Sequence, residues 1–233
     1  MDTEIKVLGV FPVQAVVTDL AEVFRQETGH TGRLTFTTSG VIRQRLAAGE
    51  PVDVIILNDY EIDELVGQGV VATGTRTDIA RFGMGVVVRR GAPLPDISTP
   101  QALRQTLLSA KSIVYGNPDR TRGGAHFAGV LQRLGIADAV KGKTLLSNGG
   151  TASSEAVAKG EAELGVQGMS KDILVEGATL LGPLPKELQK IMTLSAGVAT
   201  RSVAPEAARA FVAFLMRPCF RPKYVEAGLD YRE

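Results

Sequence analysis

Residues 34–59, LTFTTSGVIRQRLAAGEPVDVIILND, decide the fold. An extended run leads into a helix opened by Ser39 and Gly40, and the stretch closes with an apolar strand that ends before Asn58 and Asp59. A strand that is apolar on both faces is typical of a parallel sheet covered by helices. The stretch therefore predicts a β-α-β unit whose second strand ends where open α/β sheets bind ligands.

The same alternation of strands and helices continues on both sides of this stretch. Towards the N-terminus, a short apolar run is broken by Pro12 and followed by the apolar stripe of a helix. Towards the C-terminus, strand-like runs alternate with helices up to a final amphipathic helix. Extended runs are predicted at 5–10, 34–37, 53–57, 81–89, 112–115, 143–146, 164–168 and 192–200.

Two turn-rich stretches, at 91–96 and 182–185, indicate crossings between lobes close to them. We expect an α/β protein in which residues 1–82 form the first part of lobe 1, residues 83–186 form lobe 2, and residues 187–233 return to lobe 1. The chain has 233 residues, and a lobe of about 100 residues is large enough to bury its own core.

The composition excludes several classes of function. The chain has 26 Lys and Arg against 25 Asp and Glu, a net charge of +1, which gives no basic surface for nucleic acid. No run approaches the roughly 20 apolar residues of a membrane span. Two histidines and one cysteine, Cys219, provide neither a transition-metal site nor a disulfide, and no Ser/His/Asp set is visible. We therefore expect a small polar ligand, no cofactor, no metal, no nucleic-acid partner and no membrane insertion.

The N-terminus reads MDTEIK and enters an apolar strand at once, without the basic and apolar regions of a secretory signal. Two interpretations stay open: the protein is periplasmic if a signal peptide was removed, and cytoplasmic if Met1 is the native start. A start methionine fused to a mature domain would give the same sequence.

Four strand-to-helix loops share a composition of small residues. They lie at 9–14, 37–40, 121–124 and 149–152, and each leads to the N-terminus of a predicted helix. Free backbone N–H groups and the positive end of the helix dipole bind anions at such positions without a full charge. Ordinary caps and turns would explain any one of these loops, but four loops in both halves of the chain favour an anion-binding site.

Three motifs carry a resemblance to a known family: the small-residue loop at 36–40, the Gly-x-Pro-x-Asp strand motif at 49–55, and Gly-Asn-Pro-Asp at 116–119 before a Gly-Gly pair. In this order they resemble the molybdate-binding-protein-like branch of the type II periplasmic solute-binding proteins. The resemblance implies a two-lobed α/β fold with a ligand cleft between the lobes and hinge closure around the ligand. It also implies a monomer that pairs with an ABC-transporter permease.

Within this resemblance, Ser39 matches the ligand-binding serine of the second loop. The serine of the first loop is replaced by Pro12, and the tyrosine of the late strand corresponds to Gly168, beside Gln167. Arg122 adds a cation to the third loop, which a site for a tetrahedral oxyanion does not require. The ligand therefore stays open between an oxyanion such as molybdate and a small organic di- or tricarboxylate.

Segments at 91–99, 165–170 and 182–185 resemble the aconitate isomerase group of the same structural branch. This second resemblance implies a small di- or tricarboxylate as the ligand. Arg122 would then hold a carboxylate through the two prongs of its guanidinium group.

Three hypotheses for the function follow, in descending order. The first is a binding protein, the second is an isomerase that moves a proton next to a carboxylate with His126 or Asp59 as the general base, and the third is a regulatory or scavenging domain of the same fold. A histidine inside a helix and a carboxylate at a strand end more often have structural roles. The predicted ligand-binding residues are Val10, Phe11, Pro12, Ser39, Gly40, Asn58, Arg122, Gly123, Gly124, Gly150, Thr151 and Gln167.

Overall fold

The computed structural model describes residues 3–230 and shows an α/β protein of two compact units. The first unit combines residues 3–81 and 192–230, and the second consists of residues 82–191. The helices and strands, in chain order, are β1 (Glu4–Val10), α1 (Gln14–Thr28), β2 (Thr31–Thr37), α2 (Ser39–Ala47), β3 (Val54–Asn58), α3 (Asp59–Gly67), β4 (Thr77–Phe82), β5 (Met84–Arg89), α4 (Pro100–Ser109), β6 (Ile113–Gly116), α5 (Arg122–Arg133), α6 (Ala137–Lys141), β7 (Thr144–Ser147), α7 (Ala152–Ala158), β8 (Leu164–Gly168), β9 (Ala178–Pro183), β10 (Met192–Val198), α8 (Pro205–Leu215) and α9 (Arg221–Glu226).

The sheet of the first unit has the strand order β2-β1-β3-β10-β4. β1 pairs in parallel with β2 and with β3, which confirms the predicted β-α-β unit. Residues 54–57 of β3 are each 0% exposed, as expected for a strand with both faces covered. β10 pairs with β3 in the antiparallel direction, so the C-terminal part of the chain supplies an inner strand of this sheet.

The sheet of the second unit has the order β7-β6-β8-β5-β9, with β6 parallel to β7 and β8. Helices cover both faces of this sheet. Consecutive residues of a strand point to opposite faces, and two neighbours on β6 contact different helices. Tyr115 of β6 makes an edge-to-face contact with Phe127 of α5, with ring centroids 5.1 Å apart. Its neighbour Val114 shares a buried cluster with Val157 of α7.

The chain crosses from the first unit to the second after residue 81 and returns after residue 191. The sequence predicts these crossings after residues 82 and 186. The segment before the return is bound to the second unit by Gln189. Its side-chain amide accepts a hydrogen bond from Met84 N at 2.7 Å and donates one to Met84 O at 2.9 Å. The side chain of Gln189 thus pairs with the first residue of β5 as a neighbouring strand would.

The predicted single strand at 81–89 is wrong. β4 ends at Phe82, β5 begins at Met84, and Gly83 separates them. The physical reason is that the chain changes sheets at this point, since β4 belongs to the first sheet and β5 to the second.

Asp53, the acidic residue of the Gly-x-Pro-x-Asp motif, has a structural role. Its carboxylate is 1% exposed. Oδ2 accepts a hydrogen bond from Lys6 N at 2.8 Å, while Oδ1 accepts from Ser202 Oγ at 2.6 Å and Val203 N at 3.1 Å. A buried carboxylate with three donors is well satisfied, so Asp53 joins β1 and the segment before α8 to the start of β3.

No helix within residues 3–230 combines the length and apolar character that a membrane crossing needs. The same residues contain no group of three or more His, Cys, Asp or Glu side chains arranged to hold a metal ion. Cys219 is an exposed free cysteine.

Candidate functional site

Three strands of the first unit bring predicted ligand residues to one edge of its sheet. Val10 and Thr37 are register partners at the ends of β1 and β2, and Asn58 is the last residue of β3. The carboxyl ends of parallel strands meet at the same edge, which is where α/β sheets bind ligands. α2 and α3 begin directly after β2 and β3, so their N-termini lie at this edge as well.

The first loop contributes apolar surface. It forms a single 3-10 turn, Phe11–Val13, after Val10. Val10 is buried, whereas Phe11 and Pro12 are partly exposed. Pro12 has no backbone N–H to donate, and none of the side chains in this loop carries a hydroxyl group.

Residues that follow β2 and end β3 both contact Glu61, which is 4% exposed. Ser39 donates its hydroxyl hydrogen to Glu61 Oε2 at 3.0 Å, and the Asn58 side-chain amide donates to the same oxygen at 2.5 Å. The Asn58 backbone N–H lies 3.3 Å from it. Because a serine has only one hydroxyl hydrogen, Ser39 presents lone pairs, and no donor, to any further group.

Arg43 balances the charge of this buried carboxylate. Its Nε lies 3.3 Å from Glu61 Oε1, and its Nη2 lies 2.6 Å from Glu64 Oε2. The hydrogen bond to Glu64 and the negative charge of Glu61 raise the pKa of Arg43. Sequence reasoning missed Glu61, although the spacing Asn58-x-x-Glu61 was an available signal, since a glutamate three residues after an N-cap often reaches back to it.

Asp59, one of the two candidate bases, is the first residue of α3. Its carboxylate accepts a hydrogen bond from Tyr60 N at 2.8 Å. A carboxylate is favourable in the first turn of a helix, where it meets the positive end of the dipole. This contact gives Asp59 a structural explanation, and a role as a base stays a prediction.

In the second unit, the loop between β6 and α5 is held by hydrogen bonds between the Thr121 hydroxyl and the backbone of the same loop. Thr121 caps α5 by accepting a hydrogen bond from Gly124 N at 3.1 Å, and its hydroxyl donates to Asn117 O at 3.1 Å. An added Cβ at Gly124 would lie 1.9 Å from Gly116 O. Packing of the helix start against β6 therefore requires glycine at position 124, whatever the ligand.

Other residues at the starts of α2 and α5 are exposed or have space beside them. Arg122, the first residue of α5, is exposed. An added Cβ at Gly123 would come no closer than 3.4 Å to its nearest neighbour, the side chain of Met84, and one at Gly40 would meet nothing within 4 Å. Packing within the protein therefore does not require glycine at either position.

The loop between β7 and α7 turns through two glycines in the left-handed region. Gly149 and Gly150 have φ angles of 83° and 62°, which favour glycine. Thr151 follows as the N-cap residue of α7, and its hydroxyl donates to Glu155 Oε1 at 2.5 Å. The hydroxyl of Thr151 is therefore engaged within the helix that it precedes.

Gln167 of β8 is 7% exposed. Its Nε2 donates to Ile173 O at 3.0 Å, and Ser154 Oγ donates to the same carbonyl at 2.6 Å. This contact fixes the orientation of the amide, since a carbonyl accepts only. Oε1 of Gln167 is buried and has no hydrogen-bond partner among the described residues.

These loops occur in a chain whose residues 5–230 match the family model of the bacterial extracellular solute-binding proteins. The chain belongs to this family. Among curated relatives, an aconitate isomerase of a Pseudomonas species is 31% identical over 219 residues, covering 91% of this chain and 82% of that protein. The molybdate-binding protein ModA of Azotobacter vinelandii is 26% identical over 219 residues, covering 92% and 85%.

The fold of this solute-binding protein agrees with a solved structure as well. The periplasmic molybdate-binding protein of Azotobacter vinelandii superposes with a TM-score of 0.80 at 21% identity, covering 98% of this chain and all (100%) of that one. The predicted molybdate-binding-protein-like resemblance and the two-lobed α/β fold are confirmed.

His126, the second candidate base, lies in the second unit of the solute-binding protein. Its Nε2 is 2.8 Å from Leu188 O. Because a carbonyl only accepts, Nε2 carries the hydrogen, and Nδ1 is the nitrogen left to accept a proton. The contact ties the first turns of α5 to the 3-10 turn Lys186–Leu188, which precedes the return to the first unit.

We expect His126→Ala to lower the free energy of unfolding by about 1 kcal/mol, the usual value of one hydrogen bond. Gln132→Ala, which changes an exposed residue on the same helix, should leave stability within about 0.5 kcal/mol of the unsubstituted protein. Urea unfolding measures both. Equal stability of the two variants would show that the contact with Leu188 contributes nothing.

Proposed function

We propose that this solute-binding protein binds a small organic acid with two or three carboxylates through the small-residue loops that the sequence predicts as ligand-binding. One observation carries the proposal: the Ser39 hydroxyl donates to Glu61 at 3.0 Å. A site for a tetrahedral oxyanion that depends on hydroxyl donors would lose this one. Backbone N–H groups at helix starts suit a carboxylate, and the forked guanidinium of Arg122 matches its two oxygens.

The relatives support the same ligand class. The curated relative with 31% identity acts on aconitate, a tricarboxylate, whereas the molybdate-binding relative is 26% identical. Pro12 in the first loop is a second reason, because it offers neither a hydroxyl nor a backbone N–H to an oxyanion. Both points favour an organic acid over molybdate.

The aconitate isomerase relative also favours a second candidate function, the isomerisation of an unsaturated carboxylate by proton transfer. His126 and Asp59 are the candidate bases. Nε2 of His126 faces Leu188 O, and one oxygen of the Asp59 carboxylate accepts from Tyr60 N. One polar atom of each side chain is therefore already engaged in a hydrogen bond. Only Nδ1 of His126 and the free oxygen of Asp59 are left for proton transfer, and we therefore rank binding ahead of turnover.

A thermal-shift series tests the ligand class, since a ligand that binds only the native state raises the melting temperature. The series compares molybdate, tungstate and sulfate with citrate, tricarballylate and cis- and trans-aconitate. We expect a larger rise with the carboxylates than with molybdate, tungstate or sulfate. A rise with molybdate or tungstate alone would contradict the proposal. Proton NMR of each aconitate isomer after incubation then separates binding from turnover.

We expect Arg122→Ala to weaken carboxylate binding about 10-fold or more, because a charge-assisted hydrogen bond is stronger than a neutral one. Arg133→Ala is the matched control, since Arg133 is an exposed arginine at the other end of the same helix. Isothermal titration with the carboxylate from the thermal-shift series measures both affinities. Unchanged affinity in Arg122→Ala would remove this residue from the site.

The family supports a further part of the proposal. Solute-binding proteins bind a small ligand and pair with the permease of an ABC transporter, and we propose this pairing for the present chain. The monomeric state stays a prediction.

A further inference from the structure

The first unit has a concave pocket of about 230 Å³ on one face of its sheet. Its polar lining consists of Lys6, Arg33, Thr35, Arg45 and Glu50, and we call it the basic pocket. Lys6 precedes Val10 by four residues on β1, a distance of roughly 13 Å along a strand. The basic pocket is therefore separate from the strand ends at Val10, Ser39 and Asn58.

The register of β1 and β2 places two cations side by side in this pocket. Lys6 is the direct partner of Arg33, and Leu8 is the direct partner of Thr35. Residues two apart on a strand lie on the same face of a sheet, so the four side chains share one face. Adjacent strands lie about 4.8 Å apart, and like charges on directly opposite residues cost stability.

The protein itself supplies little counter-charge. The one acidic residue in the lining, Glu50, forms two hydrogen bonds with the guanidinium group of Arg45. Its pKa is lowered by those bonds and, to a smaller extent, by the charges of Arg33 and Lys6. Among the described residues, the Lys6 ammonium and the Arg33 guanidinium have neither a hydrogen bond nor an ion pair. Three cations thus face one carboxylate.

We propose that the basic pocket binds a small dianion with charged oxygens, of the phosphate class, between Lys6 and Arg33. The forked guanidinium of Arg33 matches two oxygens of such an anion, and the ammonium of Lys6 acts as a compact point charge. The Thr35 hydroxyl, one position further along the same face, is a third donor. A bound dianion would offset the repulsion between the Lys6 ammonium and the Arg33 guanidinium.

The test uses the whole chain and inorganic phosphate, with chloride at equal ionic strength as the reference. We expect phosphate at about 20 mM to raise the melting temperature of the unsubstituted protein by about 3 °C over chloride. Arg33→Gln and Lys6→Gln should each lose most of this rise. Arg209→Gln, which removes an exposed arginine of α8 in the same unit, should keep it.

A second readout has the opposite sign. In chloride at low ionic strength, Arg33→Gln should melt at the same temperature as the unsubstituted protein or higher, because the substitution removes the repulsion with Lys6. Arg122→Ala should keep the phosphate rise, which separates this pocket from the proposed carboxylate site. An equal phosphate rise in all variants, or no rise in the unsubstituted protein, would overturn the proposal.

Discussion

We expect Gly124→Ala to lower the free energy of unfolding by about 3 kcal/mol, although it adds a single methyl group. The new Cβ would lie 1.9 Å from Gly116 O and 2.6 Å from Thr121 Oγ1. The first of these neighbours is backbone, so the start of α5 must move away from β6 and its cap must shift with it. Overpacking of this kind costs 1–3 kcal/mol and at times more.

Gly129→Ala is the matched control, because Gly129 lies in the same helix and an added Cβ there meets nothing within 4 Å. Alanine is the better helix former, so this variant should be more stable by about 0.5–1 kcal/mol. Urea unfolding of both variants measures the difference. If both substitutions shift stability in the same direction, the close approach of Gly124 to Gly116 is not the reason that position 124 requires glycine.

Glu61→Ala should lower the free energy of unfolding by about 2 kcal/mol, because it removes a buried acceptor shared by two donors and one end of an ion pair with Arg43, whose side chain is 36% exposed. The substitution leaves the Asn58 amide and the Ser39 hydroxyl without their common acceptor, and Arg43 without its buried partner. Ser39, Asn58 and Arg43 are partly buried, so these donors retain part of their desolvation cost when they lose the acceptor.

Glu64→Ala removes the second carboxylate that contacts Arg43, on a side chain that is 50% exposed. Exposed ion pairs contribute 0–1 kcal/mol, so this variant should lose less than 1 kcal/mol. Thermal and urea unfolding should agree on this order. A loss in Glu64→Ala as large as that in Glu61→Ala would show that burial of Glu61 is not the source of its effect.

The parallel core of the first unit was predictable because β3 is apolar on both faces, a pattern typical of parallel strands that helices cover on both sides. β4 and β9 were not predicted. Both are the last strands of their sheets, and exposed residues interrupt each of them, so neither shows a continuous apolar run or a regular alternation. Edge strands carry this weak signal because only part of their surface is buried.

The site was predictable at the level of loops and much less at the level of single contacts. The sequence places Ser39 and Asn58 at strand ends, and the structure brings them together. It does not reveal that both point to Glu61, since that contact depends on how α2 and α3 lie against each other. Gly124 has a packing role that no composition rule separates from a ligand contact, so its contact with a ligand stays a prediction.

The position of β10 sets an order of events during synthesis. This strand lies between β3 and β4, yet it follows them by more than a hundred residues. The second unit is continuous in sequence and can form as soon as residue 191 is available. Until residues 192–198 are synthesised, β3 lacks its partner on one side and β4 lacks the only strand next to it. Unpaired strand edges of this kind promote aggregation. We therefore expect the half-made chain to depend on chaperones, and truncation before residue 192 to leave only the second unit able to fold.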